Sequence, residues 1–186
     1  QWLLFSDCDS IPHRDLVAIH RQEAEPDRLL CGGRVLLEKT FTEQLNLEQV
    51  QKGSFEKRLT KARKVALYRQ HIKNRLYIAV GKERRPHNYG VNMSCAQGAM
   101  KRVNGYDHNF QGWGNADGDV RDRMRMAGIE PKCVCHKAVI FHQWHEPDST
   151  MQLRLNKEYA RRPNIPVCCE EGLDSIQTDR PARVTA

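Results

Sequence analysis

Three short stretches carry side chains whose types and spacing could do chemistry. Ser6-Asp7-Cys8-Asp9 sets two carboxylates one residue apart, directly after the apolar run Trp2-Leu3-Leu4-Phe5. Alternation along an extended chain puts Asp7 and Asp9 on one side, at a strand's carboxyl end, where open α/β sheets hold their ligands. Carboxylates that close repel unless a cation sits beside them, and a divalent metal that also binds phosphates is the economical partner. A turn with a helix cap at Asp9 or Ser10, followed by Pro12, is the alternative. Farther on, the apolar strand Lys137 to His142 ends in His142-Gln143-Trp144-His145. Neutral imidazoles there can ligate Mn²⁺ or Zn²⁺, and with an aspartate pair elsewhere the metal reading outweighs that of surface histidines.

The third stretch is Gly112-Trp113-Gly114-Asn115-Ala116-Asp117-Gly118-Asp119. A sugar ring can stack on the indole while a hydroxyl hydrogen-bonds to the carboxylate, and the glycines allow close backbone approach. A turn whose Trp plugs the core and whose Asp merely caps a helix accounts for this octapeptide better when it is taken alone. Cys133-x-Cys135-His136 with His142 and His145 raises a structural zinc site, but the spacing matches no standard module and an apolar strand divides the cluster.

The elements that must position these groups follow from periodicity. Trp2–Phe5 reads as a central strand covered on both faces, and Ile11 to Arg21 as a helix. Leu29 to Leu37 reads as a strand interrupted by Gly32-Gly33, where a bulge or a close backbone approach is expected. Phe41 to Val50 is ambiguous. Phe55, Leu59, Ala62, Val65, Ala66 and Ile72 form the apolar side of a helix whose other side is nearly all Lys and Arg. Leu76 to Val80 reads as a strand, Gly81 to Asn88 as a charged loop of the kind that moves around substrates, and Val91 to Ser94 as a strand. Ala96 to Val103 is expected to be a short helix stopped by Asn104-Gly105. Val120, Met124 and Ala127 recur at helical spacing before Gly128, so a helix of about three turns is capped by Asn115 or Asp117. A last helix is expected over Thr150 to Arg161.

The 186 residues suffice for one domain with a real core, and no apolar run approaches the roughly 20 residues of a membrane span. With no signal peptide evident and an odd count of 7 scattered cysteines, free thiols in a reducing, cytoplasmic compartment are expected. The net charge of +7 is uneven: Lys52 to Arg85 holds 12 Lys/Arg against 2 Glu. Such a segment suits an anionic partner, and a basic amphipathic helix can lie on the inner face of a membrane. Interleaved aromatics are few, so the stacking signature of nucleic-acid binding is thin.

Phe5-Ser6-Asp7-Cys8-Asp9, Gly90-Val91-Asn92-Met93-Ser94, Val103-Asn104-Gly105-Tyr106-Asp107, Phe110-x-Gly112-Trp113-Gly114-x-x-Asp117-x-Asp119 and His142-x-x-His145 occur in one order. That order resembles the carboxyl-terminal half of GT-A-fold inverting glycosyltransferases, the bacterial family-two enzymes and the galactosyltransferase-type domain. The resemblance implies an α/β fold of Rossmann-like type with a mixed sheet, over residues 1–166. Residues 52–85 then form a basic helical insertion, and 167–186 a tail expected to be partly disordered. It further implies Asp9 and His145 on a divalent metal, Mn²⁺ or Mg²⁺, with His142 as a second imidazole ligand. Asp7 and Asn92 would meet the donor, Gly112, Trp113 and Gly114 would form the sugar platform, and Asp117 would be the general base. The implied partners are a nucleotide-sugar donor and a polysaccharide or lipopolysaccharide-type acceptor. Two departures stand out: Ala116 replaces a family Glu, which raises a glycan- or nucleotide-binding pseudoenzyme, and the nucleotide-binding half is absent, so a fragment inactive by itself is expected.

Overall fold

The computed structural model describes residues 1–82, 84–87 and 89–176. In chain order its elements are β1 (Trp2–Phe5), β2 (Ser10–Pro12), α1 (Leu16–Glu23), β3 (Arg28–Cys31), β4 (Gly33–Leu36), α2 (Lys39–Gln44), α3 (Leu47–Gln51) and α4 (Lys61–Ala79). There follow β5 (Met93–Ala96), α5 (Gln97–Arg102), α6 (Ala116–Met126), β6 (Glu130–Cys133), β7 (Val139–His142) and α7 (Leu173–Ile176). The class is α/β, with two mixed sheets ordered β1-β5-β3-β6 and β2-β7-β4. In the first, β5 runs antiparallel to β1 and β3 while β6 is parallel to β3. In the second, β7 is antiparallel to β2 and parallel to β4.

One apolar stretch feeds both sheets because Gly32 and Gly33 let the chain cross between them. A Cβ on Gly32 would lie 2.3 Å from the Asn92 side chain, and one on Gly33 would lie 2.1 Å from the Cys135 carbonyl oxygen. The expected close approach is therefore real, and only glycine fits it. Asn92 occupies the space so created. Its amide nitrogen donates to the carbonyls of Gly33 (2.8 Å) and Ala138 (3.1 Å), and its Oδ1 accepts from His20 Nε2 (2.9 Å). That leaves His20 Nδ1 to accept from the Ser94 hydroxyl at 2.7 Å. Burial holds the His20 imidazole below its ordinary pKa, which keeps this relay neutral.

Leu29, Met93, Val120, Met124 and Ile129 pack one core between the first sheet, α5 and α6. Phe55, Leu67, Val139 and Phe141 pack another beneath α4. The buried ion pair Asp119–Arg123 (2.6 Å) lies in α6, and Arg123 also donates to the carbonyls of Val103 and Gly105. A buried guanidinium is tolerated only when its donors are met in this way. Those bonds fix the turn at Asn104-Gly105, where both residues are left-handed (φ 58° and 72°).

Several sequence expectations change. β1 is a half-buried edge strand among the described residues, because its apolar run faces β5 on one side only. Ser10–Pro12 is a strand, not the start of a helix: pairing with β7 outweighs local pattern, and α1 begins only at Leu16. Leu76 to Val80 is the last turn of α4 and its C-cap, so the β-branched and aromatic residues there misled. Thr150 to Arg161 consists of turns and two short 3₁₀ segments, broken where Arg154 adopts φ 49°. Asn115, the residue before α6, is left-handed (φ 70°) and gives the helix no side-chain cap. β6 lies in a Pro- and Lys-containing stretch that carries no strand pattern.

Within the segment from 167 onward, Cys169 is buried and Asn104 Nδ2 donates to its carbonyl at 2.8 Å. Residues 177–186, together with Glu83 and Asn88 of the charged loop, lie outside the described residues. All seven cysteines are unpaired. No described helix is long and apolar enough to cross a membrane.

Candidate active site

The pairing of β2 with β7 creates the site. Ser10 stands opposite His142, and the Gln143 amide donates to the Asp9 carbonyl at 2.8 Å. The aspartate pair and the two histidines, more than 130 residues apart in sequence, are thereby stitched together by backbone hydrogen bonds. Asp7 to Ser10 is a turn (Ser10 amide to Asp7 carbonyl, 3.2 Å), so turn geometry rather than strand alternation sets the two carboxylates.

His142 Nε2 lies 3.6 Å and His145 Nε2 3.3 Å from the same oxygen, Asp9 Oδ2. Ligand atoms of all three residues fall within 4.8 Å of one another. The second nitrogens fix the tautomers. His142 Nδ1 faces the Gln143 carbonyl (2.8 Å) and His145 Nδ1 the Glu146 carbonyl (2.7 Å). A carbonyl only accepts, so each Nδ1 carries a proton and each Nε2 is the atom turned toward the carboxylate oxygen, a bare lone pair in the neutral ring. Lone pairs converging on an anion are unfavourable without a proton or a cation between them. Backbone-anchored imidazoles with one carboxylate suit a divalent ion that accepts nitrogen ligands. The residues present fit a metal. Cys133 and Cys135 are not in this cluster: Cys133 lies under α4, where its carbonyl accepts from His71 Nδ1 at 2.9 Å.

Asp7 is beside this cluster and its carboxyl is held above the usual carboxylate range, first by partial desolvation and then by the charges of Asp9 and Asp117. Arg34 opposes that shift, its guanidinium stacked 4.6 Å over the Tyr89 ring. Asp117 therefore belongs to the same acidic patch. It lies in the first turn of α6, where the helix dipole favours a carboxylate. Its Oδ1 accepts from the Tyr106 hydroxyl at 3.0 Å, and a Cβ on Gly90 would come within 2.3 Å of that oxygen.

Trp113 is 53% exposed, so it does not plug the core. Its loop is held from behind: Thr150 Oγ1 accepts from the Trp113 amide (2.8 Å), and a Cβ on Gly112 would meet the same oxygen at 2.6 Å. Buried Asn156 donates to the carbonyls of Gln111 and Gly114 (both 2.9 Å) and accepts from the Gln111 amide (2.8 Å). Asn92 departs from its expected place: it is fully buried and its polar atoms are spent on the relay between the sheets, so it is not presented to a sugar. A cavity of about 480 Å³ lies elsewhere, lined by Glu23, His71, Lys132 and His136 among others.

Sequence reasoning gave no role to Tyr106, Gly90, Thr150 or Asn156. Tyr106 and Gly90 stood inside motifs already noted, but nothing local marked them as neighbours of Asp117.

A family model described as the N-terminal domain of galactosyltransferase matches residues 74–146. The match supports a glycosyltransferase-type domain. It spans Tyr106, Trp113, Asp117, His142 and His145, whereas Asp7 and Asp9 precede it. A comparison with curated proteins finds no match.

Proposed function

We propose that this chain carries the catalytic centre of a metal-dependent inverting glycosyltransferase, moving a hexose from a nucleotide-sugar donor to a polysaccharide or lipopolysaccharide-type acceptor. The observation that carries this reading is the convergence of His142 and His145 Nε2 on Asp9 Oδ2, with the Asp117 charge felt at neighbouring Asp7. Asp9, His145 and His142 would hold the ion. When bound, a divalent cation offsets the negative charge that develops on a diphosphate leaving group.

The chain's own residues supply the rest. Asp7 turns a carboxylate toward donor hydroxyls. The exposed indole of Trp113 offers an apolar face for a sugar ring, with Gly112 and Gly114 leaving room beside it. Asp117 takes the proton from the acceptor hydroxyl as that oxygen attacks the anomeric carbon from the side opposite the leaving group, which inverts the configuration.

Asp117→Asn keeps the shape and removes the base. In the intact protein, turnover is expected to fall by about 10² to 10⁴ while donor affinity is retained. Turnover equal to wild type would overturn the assignment. The second reading, a binding pseudoenzyme, rests on Ala116, which puts a methyl group at the first position of α6 where the related pattern has a carboxylate. A gain of transfer in Ala116→Glu over an inactive wild type would favour it.

A further inference from the structure

Helix α4 is unlike the rest of the molecule. It contains 6 cations (Lys61, Arg63, Lys64, Arg69, Lys73, Arg75) and no acidic residue across its 19 positions. Only Leu67 and Asn74 are buried in it. Leu67 packs on the core with Phe55 and Phe141, while Asn74 donates to Cys133 Sγ at 3.5 Å. The opposite side is not the polar face such a helix ordinarily shows to water. Val65 (50%), Tyr68 (55%), Ile72 (38%), Leu76 (61%) and Val80, just past its end (70%), are all exposed. The sequence pattern had turned Val65 and Ile72 inward; the structure turns them out.

At about 100° per residue these five project along one broad line, a sector of about 120° opposite Leu67 and Asn74. The line runs for about 22 Å, at 1.5 Å per residue from 65 to 80. Lys61 and Arg75 flank it on one side and Arg69 and Lys73 on the other, all exposed. An apolar strip bordered by cations and free of acids is complementary to a surface with anionic headgroups above an acyl layer. A nucleic acid would satisfy the cations but would have no use for four exposed aliphatic side chains. A helix this charged lies on a bilayer rather than crossing it.

We infer that the outward face of α4 is a docking surface for an anionic lipid bilayer, holding the body of the protein against the membrane with the helix parallel to it. This does not depend on the glycosyltransferase reading. The test is partition of the full chain onto unilamellar vesicles of phosphatidylcholine alone or with 30% phosphatidylserine, by co-sedimentation at low and physiological salt. Binding is expected only to the anionic vesicles and is expected to weaken with salt. Ile72→Ser with Leu76→Ser should cut partition at least tenfold, and Arg69→Gln with Lys73→Gln should do so with a shallower salt dependence. All four positions are exposed, and circular dichroism would verify the fold of each variant. No binding to anionic vesicles at low salt would overturn the proposal. So would binding that survives the Ile72/Leu76 change and is displaced by RNA, which would assign the face to nucleic acid.

Discussion

The contact between Tyr106 and Asp117 orients the carboxylate proposed as the base. Burial pushes the Tyr106 phenol well above its ordinary pKa, so at any working pH it is a protonated donor to Asp117 Oδ1. The ring is held edge-on to Phe5 at 6.3 Å, and the backbone ahead of it is fixed by Arg123 on the carbonyl of Gly105 at 2.7 Å. Arg123 and Asp117 share helix α6, so the Asp117 carboxylate and the group that aims it belong to one loop of contacts. Tyr106→Phe removes the hydroxyl and little else. It is expected to lower kcat about tenfold, the worth of one hydrogen bond of roughly 1.4 kcal/mol, while KM for the donor stays within about twofold. Unchanged kcat would show that the contact does not serve the base.

Among elements, the attachment of α1 to β6 carries a pH signature. Glu23, at the end of α1, is bound by Lys137 (2.5 Å) and Lys132 (2.9 Å), and the hydrogen bonds from those lysines hold its carboxyl down to about 2. A carboxylate depressed in the folded state gives stability that is complete above its ordinary value of 4.5 and is lost as pH falls toward 2. Since both lysines are partly in solvent, the contribution is about 1–2 kcal/mol after screening. Urea unfolding should therefore show Glu23→Gln less stable than wild type by that amount at pH 6 and equal to it near pH 2. A difference that persists at pH 2 would assign the loss to packing.

Local pattern revealed elements whose bonds are local. α5, stopped by Asn104-Gly105, and α6, stopped by Gly128, were legible because glycine and left-handed residues end helices by their own backbone preferences. What pairs at a distance was not. The turns of 150–161 look helical in sequence, yet Asn156 and Thr150 are claimed by backbone atoms of Gln111 to Gly114, some 40 residues away. Ser10–Pro12 became a strand for the same reason, through β7. The aspartate pair and the histidine pair could each be found from sequence. That both histidines point at one Asp9 oxygen rests on β2–β7 register and on Nδ1 protons anchored by backbone carbonyls.

On the scale of the whole molecule, two sheets share a seam at Gly32-Gly33, and buried Asn92 bonds across it to Gly33 and Ala138. Asp117 lies on α6, packed on the first sheet, while Asp9 and the histidines adjoin the β2–β7 pair of the second, so the seam lies between the two halves of the proposed site. The central claim is that Asp9, His142 and His145 form one divalent-ion site. Titration of the full chain with Mn²⁺, followed by electron paramagnetic resonance of the free ion, measures it without any sugar. One bound ion per chain is predicted for the wild type, with affinity lowered at least tenfold in Asp9→Asn and in His145→Ala. The same stoichiometry and affinity in all three proteins would contradict the account.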